Sequence, residues 1–376
     1  MQKRRPFFRN RRRLIGILLL ILLFVSLPIG FFLIQRQTNG GEQVSGGAPS
    51  PFPSSTPSST FVPTSYAANI DFESISSYGT YNPAALNNPN IAAVDINMNW
   101  ASVEPQQGVF NWKPADDEMA AWVQQGKKFT IVARFINEGR GNCNGFQMLP
   151  AWEISRVPYF CSTTGQIIPD YFDATFKADL KAYAQAIAQH MAASPYRDKL
   201  LYIRLGIGMG GEGFPVPNPT NANIADAGQL QNYGYTPTAW AAWQRDLMTY
   251  YKSVFPFTTI IYPVNGQDID QATGQDVSVE NANWAAAHGF GVGQQGLRPG
   301  TQSPLFQSLR SRYPHLYIQY QTFGVANSYE AVQADIQAAE RNGAQTIEWY
   351  SRNAVNPNYQ DLFAQWQQTV NNKFSS

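Results

Sequence analysis

The chain has 376 residues, enough for one large α/β barrel or for two domains of average size. Charged residues make up only 14% of it and aromatic residues another 14%, which suits a large core or a surface that stacks on ring-shaped ligands. The net charge of +1 is unevenly distributed: residues 1–36 hold eight basic residues and no acid, and the remainder holds 19 basic against 26 acidic residues. An acidic domain without a basic stripe excludes nucleic acid as the expected partner.

The N-terminus has the pattern of a membrane anchor. Residues 14–34 are an uncharged apolar run of 21 residues, long enough for a helix to cross a hydrocarbon core of about 30 Å. Seven basic residues precede the run, which predicts a cytoplasmic tail over 1–13. No small-x-small cleavage site follows, so we expect an uncleaved, single-pass signal anchor at the cell membrane rather than a signal peptide.

Residues 35–65 are rich in Gly, Ser, Thr and Pro, a composition that predicts an extended linker rather than a packed domain. Everything beyond the anchor is then extracellular, where disulfides form. Cys143 and Cys161 are therefore expected to form a bridge, with two unpaired buried thiols as the alternative. The chain contains no Asn-x-Ser/Thr sequon without proline, which favours a bacterial source.

From residue 66 onward, short apolar runs alternate with longer helical patterns. Strands are predicted near 68–75 (the weakest pattern), 91–98, 128–135, 199–207, 258–264, 289–293, 315–321 and 344–350. Helices are predicted at 114–125, 172–193, 237–253, 279–287, 303–312, 328–342 and 359–373, the sixth with Ser328 as its N-cap. Eight such units predict a single (β/α)8 TIM barrel over 66–376, with an open doubly wound sheet as the alternative.

The segment 202–219 is rich in glycine and contains a literal G-x-G-x-x-G. A dinucleotide site would need a helix to begin at these glycines, but Pro215, Pro217 and Pro219 follow and exclude one. The segment instead presents Glu212 at the exit of the fourth strand, where glycines let a ligand approach the backbone closely. Such a carboxyl is a candidate general acid, and a surface carboxylate in a flexible loop is the alternative.

The segment 97–112, NMNWASVEPQQGVFNW, resembles the second barrel strand of family 42 β-galactosidases, and the P-x-W sequence at 150–152 is similar to a loop of that family. The glycine-rich stretch around Glu212 also resembles the acid-bearing segment of β-amylases. The resemblance covers roughly residues 91–220. It implies a glycoside hydrolase in which Glu212 donates a proton to the glycosidic oxygen.

The sequence departs from the family pattern at two places. Gly211, rather than asparagine, precedes Glu212, which favours the β-amylase comparison. Gln321 stands where a glutamate normally ends the seventh strand, and both glycosidase mechanisms use two carboxyl groups. The predicted second carboxylate is Glu348 on the eighth strand, provided that it faces inward. The other candidates are Glu138, Glu104 and Asp95, and an enzyme without a second carboxylate stays open.

Polar and aromatic side chains at the predicted strand ends are candidate sugar contacts, and for each a purely structural role is the alternative. They are Asn97, Asn99, Trp100, Arg134, Trp152, Gln319, Gln321 and Trp349. The three histidines are scattered without metal spacing, and no P-loop or nucleophile elbow occurs, so no metal or cofactor is expected.

Two functions follow from the sequence. The first is a membrane-anchored, extracellular glycoside hydrolase. The second is a catalytically inactive carbohydrate-binding relative, which the glutamine at position 321 favours. A purely structural surface protein is a weaker third possibility. The sequence does not predict an oligomeric state.

Overall fold

The computed structural model describes residues 69–71, 83–137, 139–217, 219–264, 269–271 and 273–374. Eight parallel strands close into a barrel in chain order. They are β1 (Asn69–Asp71), β2 (Ala93–Asn99), β3 (Lys128–Arg134), β4 (Leu200–Arg204), β5 (Thr259–Pro263), β6 (Gly291–Leu297), β7 (Ile318–Thr322) and β8 (Thr346–Tyr350). Because β1 pairs with both β2 and β8, the predicted barrel is confirmed and the open doubly wound sheet is wrong.

The seven predicted helices are all present. They are α1 (Lys113–Gln124), α2 (Ala174–Ala193), α3 (Pro237–Val254), α4 (Val277–Ala287), α5 (Pro304–Arg312), α6 (Tyr329–Arg341) and α7 (Gln360–Phe374). Ser328 caps α6 by accepting from the Ala331 N–H, as expected. The helix Ala225–Asn232 was not predicted, because its eight residues are mostly polar or small and carry little periodicity.

The N-terminal predictions lie outside the described residues: the tail (1–13), the anchor (14–34) and the linker (35–65). Among the helices that the structure describes, none has both the length and the hydropathy of a membrane span.

The strands bury different chemistry on their two faces. Their outward residues, such as Met98 and Trp349, belong to the apolar core between the sheet and the helices. Their inward residues include polar and charged side chains: Asp95 on β2, Arg204 on β4 and Glu348 on β8. The barrel interior is therefore partly polar, with buried charged side chains on three of the strands.

The connection from β3 to α2, residues 135–173, is long and internally braced. It contains a short helix (Ala151–Ile154), an antiparallel hairpin (Tyr159–Cys161 with Ile167–Pro169) and the bonded pair Cys143–Cys161. Glu153 of the short helix is fully buried beside Asp179 of α2, which also binds Arg156 at 2.9 Å. Burial first, and then the hydrogen bond and negative charge of Asp179, raise the pKa of Glu153 to about 8.

This buried carboxyl predicts a pH-dependent stability. Glu153 keeps its proton in the folded protein up to about pH 8, whereas the unfolded chain releases it near its ordinary pKa of 4.5. The free energy of unfolding should therefore fall as pH rises from 5 to 8. The neutral substitution Glu153→Gln should make that fall smaller in urea titrations at several pH values. The exposed control Asp198→Asn should leave the slope unchanged, and an equal slope in the wild type and Glu153→Gln would refute the prediction.

Candidate active site

The carboxyl ends of all eight strands meet at one end of the barrel, the mouth, where barrel enzymes carry their chemistry. Glu212 lies in the loop that leaves β4 at this end. Gly206 approaches β3 so closely that a Cβ there would collide with the Ala133 carbonyl oxygen. Gly211 adopts a φ of 76°, and a Cβ on it would lie 2.8 Å from Val132 Cγ2. The sequence predicted that these glycines let a ligand approach the backbone closely. In the structure they instead let the loop lie directly against β3.

The backbone around Glu212 is bonded on two sides. Gly210 N–H donates to the Ile136 carbonyl, just beyond β3, at 3.1 Å. The Gly213 carbonyl accepts from Trp240 Nε1 at 2.7 Å and from Gln244 Nε2 at 2.8 Å, both on α3. Glu212 is half-buried between these two anchor points. The carboxylate is therefore carried by a loop that is hydrogen-bonded to both β3 and α3.

A second acidic group lies deeper inside the barrel. The Arg204 guanidinium bridges two carboxylates, with Nη1 2.9 Å from Glu348 Oε2 and Nη2 3.2 Å from Asp95 Oδ2. Tyr202 OH donates to Glu348 Oε1 at 2.7 Å, and Thr130 Oγ1 donates to Asp95 Oδ1 at 2.9 Å. The side chains of the three charged residues are 0–1% exposed. Burial, followed by the charge of Glu348, raises the pKa of Tyr202 well above its usual range, so this hydroxyl stays a donor.

This buried triad places Glu348 beside a cation. The residue faces inward, as its strand position required, but each of its oxygens accepts from a buried donor and none of its surface reaches solvent. Glu348 and Asp95 are thus held inside the barrel by Arg204 and by buried hydroxyl donors.

The two remaining carboxylate candidates are Glu104 and Glu138. Glu104 Oε2 accepts from Trp100 Nε1 and its Oε1 accepts from Gly108 N–H, both at 2.7 Å. Within the segment 97–112, Glu104 therefore joins the Trp100 ring to the backbone at Gly108. Glu138 lies outside the described residues.

Two of the predicted sugar-stacking tryptophans are part of the core. Trp100 is fully buried and stacks on Tyr183 of α2 with ring centroids 5.1 Å apart. Trp349 packs against Phe363 of α7 on the outside of the sheet. Neither ring reaches the mouth, which corrects both predictions. Trp152 is half-buried, meets Trp100 edge-on and donates to the Glu104 carbonyl at 3.0 Å.

The polar candidates lie on inward strand positions. Asn99 and Arg134 are neighbours in register at the ends of β2 and β3. Asn97 and Gln319 lie deeper, and the described residues offer no hydrogen-bond partner to the Asn97 side-chain oxygen or to the Gln319 amide. Gln321 is half-buried, and its Oε1 accepts from Arg204 Nη1 at 3.4 Å. These side chains form a polar wall from the barrel interior to the mouth.

Two residues at the mouth, Phe323 and Arg298, were not predicted from the sequence. They follow β7 and β6, and the Arg298 guanidinium carbon lies 3.5 Å from the Phe323 ring centroid. The glycines at 296 and 324 beside them were the available signal, since both have positive φ. Among the described residues, no group of three or more His, Cys, Asp or Glu side chains is placed to hold a metal ion.

No protein-family model matches the chain, and no curated protein sequence matches it. Among solved structures, it is similar to the catalytic domain of β-amylase from Paenibacillus polymyxa, with a TM-score of 0.56 and 13% identity, over 83% of this chain and 100% of that one. It is also similar to an exo-β-1,4-mannosidase from Opitutaceae bacterium strain TAV5, with a TM-score of 0.52 and 12% identity, over 83% of this chain and 60% of that one. Both are TIM-barrel glycoside hydrolases, so the predicted likeness to such barrels is confirmed for the fold.

Removing Arg204, the single cation of the triad, should lower the stability of the protein strongly. Arg204→Met leaves two carboxylates buried without their partner and should lower the free energy of unfolding by about 3–5 kcal/mol. Adding Asp95→Asn and Glu348→Gln to that variant should restore part of the loss, because the uncompensated charges are then gone.

The matched control is Arg197→Met, which removes an exposed arginine paired with Asp198 and should cost less than about 1 kcal/mol. Urea unfolding of the variants makes the comparison. Equal losses in Arg204→Met and Arg197→Met would contradict the assignment of the triad as a structural centre.

Proposed function

We propose that the protein is a membrane-anchored, extracytoplasmic glycoside hydrolase that acts on oligo- or polysaccharide, with Glu212 as the proton donor. The observation that carries the proposal is the placement of Glu212: half-buried at the mouth, on a loop fixed by β3 and α3. The β-amylase and mannosidase barrels that share this fold support carbohydrate as the substrate class.

The chemistry assigned to Glu212 is general acid catalysis. Its carboxyl proton passes to the glycosidic oxygen as the bond from that oxygen to the anomeric carbon breaks, and the positive charge develops on the sugar ring. In the same displacement a second carboxylate either activates the water that attacks the anomeric carbon or itself bonds to that carbon, giving a glycosyl-enzyme that water then hydrolyses. Since Glu348, Asp95 and Glu104 are engaged elsewhere, Glu138 is the remaining candidate that the sequence offers. Asn99 and Arg134 at the mouth are the proposed partners of the sugar hydroxyls.

The location rests on the N-terminal sequence and on one structural feature. The apolar run 14–34 with its basic flank supports an anchor whose N-terminus is cytoplasmic. The Cys143–Cys161 bond in the β3–α2 connection supports an oxidising compartment for the barrel.

A second candidate function is carbohydrate binding without turnover. Gln321 supports it, because an amide on β7 occupies a position where the family pattern has a carboxylate, and Glu348 does not replace it. The polar side chains of the wall and the mouth would then bind a sugar and release it without cleaving it.

The hydrolase proposal predicts that Glu212→Gln loses at least about 100-fold in kcat while sugar affinity and stability stay close to wild type. The assay is sugar release from a panel of α- and β-linked oligosaccharides and aryl glycosides. Glu280→Gln on α4 is the matched control and should retain full activity.

The same panel separates the two functions. Turnover that Glu138→Gln also abolishes would identify the second carboxylate. Calorimetric binding of an oligosaccharide with no release by the wild type would favour the second function. Neither binding nor release across the panel would rule out both.

A further inference from the structure

Phe323 is an exposed aromatic ring at the mouth of the barrel. It directly follows β7, its side chain is 63% exposed, and its N–H donates to the Leu297 carbonyl at 2.8 Å. An isolated exposed phenylalanine is ordinary on a protein surface. This ring is different because its backbone is fixed to β6 and because a cation lies against it.

The Arg298 guanidinium carbon lies 3.5 Å from the Phe323 ring centroid. A planar guanidinium at this distance covers one face of the ring and adds a cation–π attraction that holds the ring in place. The exposed surface of Phe323 then belongs to the remaining face and edge. Arginine and phenylalanine together make a braced platform with one apolar side toward solvent.

A bulge in β6 produces this arrangement. Gln295 and Leu297 pair with consecutive residues of β7, so Gly296 is an extra residue, and its φ is 113°. A bulge redirects the side chains that follow it. After this bulge, the side chain of Arg298 lies beside the Phe323 ring.

Directly before the bulge, β6 carries the side-chain amide of Gln295. Its Oε1 and Nε2 are buried atoms with no hydrogen-bond partner among the described residues. Gln295 is the register partner of Gln321, which lies two residues before Phe323 on the inward face of β7. An unpartnered amide costs free energy unless a ligand or water satisfies it. An apolar ring face together with an amide donor and acceptor at the ends of the same two strands matches a pyranose, whose C–H face stacks while its hydroxyls form hydrogen bonds.

We propose that Phe323, Arg298 and Gln295 form a subsite that binds one pyranose unit of a neutral oligosaccharide on the β6–β7 side of the mouth. The inference rests on the proposed carbohydrate function and adds a specificity element to it. In this proposal the subsite holds a sugar unit next to the one whose bond Glu212, on the β4 loop, helps to cleave. It therefore favours oligosaccharides over monosaccharides and small aryl glycosides.

The test uses the full-length protein in detergent, with α-1,4-gluco- and β-1,4-manno-oligosaccharides of two to six units and an aryl glycoside as probes. Phe323→Ala should raise KM, or Kd by calorimetry, roughly 10-fold for the longer probes. The kcat and the activity on the aryl glycoside should not change. Phe323→Trp should restore the affinity. The control Phe146→Ala removes a ring that is 72% exposed in the β3–α2 connection and should leave every parameter at the wild-type value.

The outcomes separate the subsite from the function. If the wild type cleaves or binds oligosaccharides and Phe323→Ala matches it at every chain length, the subsite is wrong and the proposed function stands. The subsite is equally wrong if Phe146→Ala loses as much affinity as Phe323→Ala. If the wild type neither binds nor cleaves any probe, the proposed function falls, and the subsite falls with it.

Discussion

The structure depends most on the two ion pairs that Arg204 makes inside the barrel. Asp95, Arg204 and Glu348 come from β2, β4 and β8, so one guanidinium joins three strands across a region closed to water. Removing charges from water is costly, and the cost is offset only when each keeps its partners in good geometry. The triad therefore specifies which faces of these strands point inward. Tyr202, which precedes Arg204 on the same face of β4, completes the arrangement by donating to Glu348.

The position of Glu212 follows from that arrangement. β4 ends at Arg204, and the chain then turns through glycines that lie against β3 before α3 binds the Gly213 carbonyl. The protein thus separates its carboxylates into two environments: Glu348 is enclosed beside a cation, while Glu212 reaches the mouth on a fixed loop. Different environments are the usual means by which one fold gives carboxyl groups different tasks. On the side of β6 and β7, the exposed ring of Phe323 lies against Arg298.

Much of the fold could be predicted from the sequence because each strand and helix carries its own periodicity. Ser328, for example, marks the start of α6 by its local chemistry. The prolines after Glu212 correctly excluded a dinucleotide-binding helix. The ion pair of Glu348 was not predictable, since Arg204 lies 144 residues away and only closure of the barrel brings them together. The sequence also did not show whether Trp100 and Trp349 point into the core or into a ligand site, because an aromatic residue at a strand end suits either place. The bulge at Gly296 depends on a register that no local pattern encodes.

The central claim is that Glu212, and not Glu348, is the carboxyl group that meets the substrate. The most direct measurement is a crystal structure of the Glu212→Gln variant with a β-1,4-manno- or α-1,4-gluco-hexasaccharide bound. We expect a glycosidic oxygen within hydrogen-bonding distance of the residue 212 amide and an intact, solvent-free Arg204–Glu348 pair beneath the sugar. A sugar bound to the Glu348 carboxylate, with Arg204 displaced and residue 212 out of reach, would contradict the claim.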